Sequence, residues 1–189
     1  VTNVNFSAEE IRDWVLRAAQ VRDQARGLYE KACRDQGSPV ESLQGPATWQ
    51  PAPEMTGLLL QGQESSIPKR KALLGDDIVG LQELLIYGLK GTAAYADHAL
   101  VLGQEDSSVY AFFHEALCLL AEGPATVEAV YGACMRCGEV NLKVMAMLDG
   151  AHTSKFGHPV PTPVRIEPLK GKAILISGHD LADLEELLK

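Results

Sequence analysis

The sequence predicts a mainly α protein, in which a helical bundle is followed by the first strand, turn and helix of an α/β domain. Three observations predict this class. Apolar residues recur at helical spacing over much of the chain. Half of the prolines fall between residues 39 and 68, and none falls between residues 69 and 123. A short apolar run rich in β-branched residues comes near the end, directly before a turn.

The first element is predicted as one amphipathic helix from about residue 8 to about residue 35. Ser7 followed by Glu10 fits a capping box, in which each side chain satisfies a backbone N–H at a helix start. Apolar residues then recur from Ile11 onwards at helical spacing. Glycines and prolines punctuate residues 37–53, which predicts a surface excursion that ends in a short helix near residues 54–61.

The centre of the chain is predicted as the helical core. Asp76 and Asp77 precede an apolar body that ends at Gly103, as in a long helix with an acidic start and a glycine stop. Gly88 and Gly91 inside it each cost about 1 kcal/mol relative to Ala, so we expect close helix-to-helix approach there. Further helices are predicted from about residue 108 to 121 and from Pro124 to about residue 148.

These elements divide the chain into a helical domain at 1–150, a Pro-rich linker at 151–171 and the start of a Rossmann-like α/β domain at 172–189. The last part is interpreted as a strand at 172–177, a turn at 178–180 and a helix from residue 181. A single strand cannot form a sheet, so further sequence or another chain has to complete it. The chain opens at Val1 without Met and closes inside a helical pattern, and we expect an internal piece of a longer protein.

Charge and composition restrict the classes of partner. The chain has 25 Asp and Glu against 17 Lys and Arg, a formal net charge of −8. A broad nucleic-acid or anionic-membrane surface is therefore not expected, and the partners should be small molecules or proteins. The sequence shows neither an uninterrupted apolar membrane span nor the order of a signal peptide, which predicts a cytoplasmic protein.

His179 is the best candidate for a functional side chain. It follows the predicted strand and precedes the last helix, where open α/β folds place ligands and metals. Gly178 would allow a sharp turn, and Asp180 could cap the helix and leave the imidazole pointing outward. The alternative interpretation is a loop histidine that bonds nearby backbone.

Cys134 and Cys137 form a lone Cys-x-x-Cys, which suggests zinc, an iron–sulfur cluster or a thiol redox pair. The pair falls inside a predicted helix, away from the terminus that would lower a thiol pKa, so free thiols in or near the core are the alternative. The remaining histidines show no ligand spacing; they are His98, His114, His152 and His158. Two other function classes stay open: a helical protein-interaction module, and a small zinc or thiol-redox protein that uses Cys134 and Cys137.

Several segments resemble one protein family. Residues 84–99 read LLIYGLKGTAAYADHA and are followed by VLG at 101–103, and residues 156–159 read FGHP. Residues 174–181 read ILISGHDL, and even residues 1–5 match an internal segment. Together these segments resemble the hybrid cluster proteins, also called prismane proteins or hydroxylamine reductases. The resemblance covers nearly the whole chain, and its members are roughly three times longer.

The resemblance implies an iron–sulfur oxidoreductase that reduces hydroxylamine to ammonia and water, with nitric oxide as a further substrate. It implies a cubane 4Fe-4S cluster and a hybrid iron–sulfur–oxygen cluster, with His179 as one iron ligand of the hybrid cluster. Cys134 and Cys137 fall on none of its ligand motifs. Hydroxylamine or a related nitrogen compound and a redox electron donor are the partners that the resemblance implies. The unpaired edge of the predicted strand adds a second copy of the chain as a candidate partner. The 189-residue piece itself is expected to bind no cluster and to be inactive.

Overall fold

The computed structural model describes residues 7–122, 126–178 and 180–189. Within these ranges the chain forms seven α-helices and one 3-10 turn, and none of the described residues lies in a strand. The helices are α1 (Ala8–Asp35), α2 (Met55–Glu64), α3 (Ile67–Leu74), α4 (Asp76–Val101), α5 (Ser107–Ala121), α6 (Val127–Phe156) and α7 (Leu181–Leu187); the 3-10 turn is Gly45–Ala47. None of the described helices is both long and apolar enough to cross a membrane.

Helix α1 has the predicted bounds. The Ser7 hydroxyl accepts a hydrogen bond from the backbone N–H of Glu10 at 3.3 Å, which satisfies one of the free donors at the helix start. The helix packs against α2 and the 3-10 turn, and Ala19 is its one buried residue. The short helix predicted near residues 54–61 is also confirmed, as α2.

Helices α4, α5 and α6 form the core. Leu81 and Thr92 of α4 lie beside Cys134 and Asn141 of α6, so these two helices run parallel to each other. Helix α5 runs antiparallel to them and packs beside the pair, since Asp106 at its start pairs with Lys143 of α6 and Glu115 pairs with Arg136. The C-terminal ends of α4 and α6 therefore lie at the same end of the bundle.

Two clusters of buried side chains fill this core. They contain Leu85, Leu89, Phe112, Ala116 and Cys137 in one, and Ala96, Val109 and Val144 in the other. The predicted close approach is found at Gly88, where an added Cβ would lie 2.9 Å from the Cys137 sulfur. At Gly91 the prediction is wrong, because an added Cβ would meet nothing within 4 Å.

Helix α6 is longer than predicted. Its predicted start at Pro124 lies outside the described residues; the helix begins at Val127, after Thr126 accepts a hydrogen bond from the N–H of Ala129 at 3.2 Å. It ends at Phe156, where Gly157 has a φ of +81° that favours glycine. The first six residues of the predicted 151–171 linker are therefore helical.

The predicted strand at 172–177 is not formed. Ile174 and Leu175 are 89% and 96% exposed, and no described residue pairs with this segment as a strand. The physical reason is that a strand gains its hydrogen bonds from a neighbour, and none of the described segments supplies one. Of the predicted strand, turn and helix, the structure shows the helix, α7.

Candidate functional site

The predicted site residue, His179, lies outside the described residues, while Gly178 and Asp180 on either side are described. Gly178 has a φ of +133°, a conformation that residues with a side chain rarely adopt, which agrees with the predicted turn. Asp180 occupies the N-cap position of α7 without forming the predicted capping hydrogen bond. Its carboxylate lies instead 3.5 Å from Nδ1 of His98.

A hollow of about 200 Å³ surrounds this contact at the C-terminal end of the bundle. Asp97, His98 and Val101 of α4 line it together with His152 of α6. The first turn of α7 closes the opposite side. Asp180 and the first turn of α7 thus lie at the common end of the two central helices.

A second contact joins α7 to the bundle. The Lys155 ammonium lies 2.8 Å from the Glu185 carboxylate. The hydrogen bond from Lys155 lowers the pKa of Glu185 below its ordinary value, so the charged pair is favoured. Both side chains are a little over two-fifths exposed, so water and salt screen the pair strongly.

The Cys134–Cys137 pair is part of the contact between α4 and α6. Cys137 is buried, and the Cys134 thiol donates a hydrogen bond to the carbonyl of Leu81 at 3.5 Å. Burial raises the pKa of the Cys134 thiol, and the neighbouring Cys137 adds to that rise. A thiol that stays protonated is a poor nucleophile and a poor metal ligand.

The described residues do not fit an iron–sulfur cluster by themselves. Among them, no group of three or more His, Cys, Asp or Glu side chains is placed to hold a metal ion. The four cysteines are free thiols, spread over α1, α5 and α6. A cluster needs several thiolates or equivalent ligands converging on one point, and these cysteines do not converge.

Comparison with known proteins gives the family. A family model described as the Prismane/CO dehydrogenase family matches residues 1–189. The chain belongs to the Prismane/CO dehydrogenase family. The resemblance seen in residues 84–99 and 174–181 is thereby confirmed.

Relatives of this Prismane/CO dehydrogenase family member carry one name. A protein named hydroxylamine reductase from Rhodospirillum rubrum is 50% identical over 189 residues. Proteins of the same name from Burkholderia ambifaria and Geobacter metallireducens are 46% and 44% identical. Each match covers the whole chain but 34% of the relative, so the chain spans about a third of the length of these relatives.

Sequence reasoning missed the residues that contact α7 and its N-cap. Lys155 falls in the predicted linker because the predicted end of α6 comes too early, and His98 is interpreted from the sequence only as a histidine without ligand spacing. A usable signal was present in the order Lys155, Phe156, Gly157, since a basic residue in the last turn followed by glycine is typical of a helix end. The partners in α7, Asp180 and Glu185, could not be inferred without the fold.

Proposed function

We propose that the longer protein to which this chain belongs is a hydroxylamine reductase. The reaction takes NH₂OH, two electrons and two protons to NH₃ and H₂O, with nitric oxide as a further substrate. The observation that carries this proposal is the 50% identity, over every residue of the chain, to a relative named for that activity. Family membership over residues 1–189 supports it.

The iron cofactors belong to the same proposal. We assign a cubane 4Fe-4S cluster and a hybrid iron–sulfur–oxygen cluster to the longer protein, and one iron ligand of the hybrid cluster to His179. An imidazole is a suitable iron ligand, but one imidazole cannot hold a cluster. The described residues add no ligand set, so the other ligands have to come from other segments of the longer protein. The 189-residue chain is accordingly expected to be inactive.

The α/β domain is proposed on the pattern of the last 18 residues. The apolar segment 172–177 is exposed, and the helix that follows it, α7, leaves Leu181 and Leu187 exposed. Apolar residues of this kind become buried when neighbouring strands complete a sheet and the helix packs on it. The segment then serves as the first strand of a Rossmann-like domain, with the turn at residue 179 at its carboxyl end.

The activity is tested in the longer protein, purified without air, with hydroxylamine and a reduced viologen dye as the electron donor. We expect one ammonia for every two dye molecules oxidised, because each dye supplies one electron. The 189-residue chain, assayed in parallel, should form none above the dye-only background. Absence of ammonia from an iron-loaded longer protein would refute the proposed activity.

A further inference from the structure

Helix α7 is too short to be stable without support. It has seven residues, and none of them is buried. Isolated helices of fewer than about 12 residues are marginal in water even when their sequences favour helix. Contacts with the rest of the protein therefore have to keep α7 helical and fix its position.

The apolar side of α7 does not supply those contacts. Leu181, Leu184 and Leu187 remain 43%, 37% and 62% exposed. They line a hollow of about 490 Å³ that is closed by Ile176 to Gly178 of the segment just before the helix. Among the described residues that line this hollow, those outside α7 belong to the segment just before it and to its N-cap.

The charged side of α7 faces the bundle. Asp180 at its start contacts His98 in the last turn of α4, and Glu185 pairs with Lys155 in the last turn of α6. Because α4 and α6 run parallel, both anchors lie at one end of the bundle. The two contacts hold α7 at two points that are five residues apart.

The neighbours of Lys155 restrain its side chain near Glu185. Its ammonium lies 4.9 Å from the ring centroid of Phe156, within cation–π range. The Phe156 ring in turn contacts the His152 ring, with centroids 6.1 Å apart. A lysine restrained in this way loses less side-chain freedom when it pairs with Glu185 than an unrestrained lysine would.

We propose that Lys155 and His98 are positioning residues that hold α7, and the turn before it, against the C-terminal ends of α4 and α6. A half-exposed pair of this kind changes an equilibrium by about 1.5- to fivefold, so each contact alone is weak. Two contacts on one short helix reinforce each other, because forming the first raises the effective concentration of the second. The consequence for the longer protein, a fixed place for the turn that carries residue 179, rests on the proposed function.

Hydrogen exchange of the 189-residue chain, read by mass spectrometry on peptides from residues 181–189, tests the proposal. The variants Lys155→Glu and Glu185→Lys should each speed exchange in α7 by about 1.5- to fivefold. Together in one chain they should exchange more slowly in α7 than either single variant, because the pair is re-formed with its charges exchanged, although the Lys155–Phe156 contact is not. The variant His98→Ala should also speed exchange in α7.

The matched control is Arg136→Glu, which reverses a charge on the same helix, α6, in a pair with Glu115. It should leave α7 exchange unchanged. Peptides from α4 report whether each variant is folded, and Lys155→Met, which keeps an apolar stem near Phe156, replaces Lys155→Glu if that variant unfolds. An unchanged rate in the single variants, or a double variant that stays fast, overturns the proposal. The exchange rates are measured without hydroxylamine, so this test and the test of the proposed activity can fail independently.

Discussion

Gly88 allows α4 and α6 to approach each other closely. A Cβ at this position would lie 2.9 Å from the sulfur of Cys137, which is itself buried. Thr92, one turn further along α4, donates a hydrogen bond to the Gly88 carbonyl at 2.9 Å. The sequence predicts a packing role for both Gly88 and Gly91, and the structure confirms it at Gly88 alone. Helix propensity shows that a glycine is costly in a helix, but it does not show which face of the helix contacts a neighbour.

Gly88→Ala should destabilise the protein by about 1–3 kcal/mol, because the added methyl group overpacks a buried contact. The free energy of unfolding, measured with urea, checks this. Gly91→Ala is the matched control on the same helix; it meets nothing within 4 Å and should stabilise by up to about 1 kcal/mol through helix propensity. Adding Cys137→Ala to Gly88→Ala should recover part of the lost free energy of unfolding, because the smaller side chain leaves room for the added methyl group. Equal changes in stability for Gly88→Ala and Gly91→Ala would contradict the packing role of Gly88.

Asp106 connects the start of α5 to α6. Its carboxylate accepts from the backbone N–H of Ser108 at 2.8 Å and pairs with Lys143 at 2.6 Å. The hydrogen bond from Lys143, followed by those from Ser108, lowers the pKa of Asp106 from 3.8 to about 2. A carboxyl whose pKa is lowered in the folded state stabilises the protein above its unfolded pKa, and this contribution is lost as the pH falls through the folded value.

Asp106→Asn should therefore melt at a lower temperature than the wild type at pH 7. The difference should narrow as the pH falls from about 4 towards 2, where the wild-type carboxyl gains its proton. Thermal melts across this pH range measure the effect. Asp35→Asn, at the exposed end of α1, is the matched control for the loss of one carboxylate. A gap between Asp106→Asn and wild type that stays constant down to pH 2 would contradict the assigned pairing.

Helix α1 fixes the loop that follows it through two arginines. Arg22 donates to the carbonyls of Pro46 and Trp49, and Arg26 donates to the carbonyl of Ala47 at 3.0 Å. Guanidinium groups suit this task because their donors point in several fixed directions at once. A loop rich in glycine and proline, whose one regular element is the 3-10 turn Gly45–Ala47, is thereby tied to α1.

Arg22→Ala should release this loop. Hydrogen exchange at residues 45–50 should become several-fold faster, because two backbone carbonyls lose their charged donor. Arg34→Ala, which removes an arginine near the end of α1 that pairs with Glu30, should leave these amides unaffected. Unchanged exchange in Arg22→Ala would show that the loop is held by other contacts.

Local signals decided which helices could be predicted from the sequence. Helix α1 was predicted with its bounds because a cap marks its start and Gly37 follows its end. The predicted end of helix α6, at about residue 148, comes too early. Gly150 follows that point but lies inside the helix, which ends at Phe156, before Gly157 with its φ of +81°. Helix α3 was not predicted; it begins at Ile67 with Pro68 in its first turn, a position where proline is common.

The segment 172–177 shows a different limit of sequence reasoning. Its β-branched residues favour an extended strand, but a strand forms only when a neighbouring strand supplies hydrogen bonds. The described residues include no such neighbouring strand. The candidate site likewise depends on segments that are distant in the sequence. The sequence pointed to the segment around residue 179, but the residues that contact Asp180 and Glu185 there, His98 and Lys155, come from the ends of two helices distant in sequence.

At the level of the entire protein, the proposed function makes this chain one contributor to a site that other segments complete. The chain belongs to the Prismane/CO dehydrogenase family, and its relatives named hydroxylamine reductase are about three times as long. Within the described residues, the end of the bundle offers the start of α7, a hollow of about 200 Å³ and no group of three or more side chains placed to hold a metal. The functional contribution proposed for this chain is therefore a single ligand, His179, on a turn held by α4 and α6.

His179→Ala in the longer protein tests this contribution most directly. Electron paramagnetic resonance and hydroxylamine turnover are measured on the same iron-loaded sample, with His114→Ala, an exposed histidine of α5, as the matched control. We expect the hybrid-cluster signal to be lost or altered, the cubane signal to be retained, and turnover to fall by more than about 100-fold, beyond what loss of an outer partner costs. Wild-type turnover with an unchanged hybrid-cluster signal in His179→Ala would contradict the account.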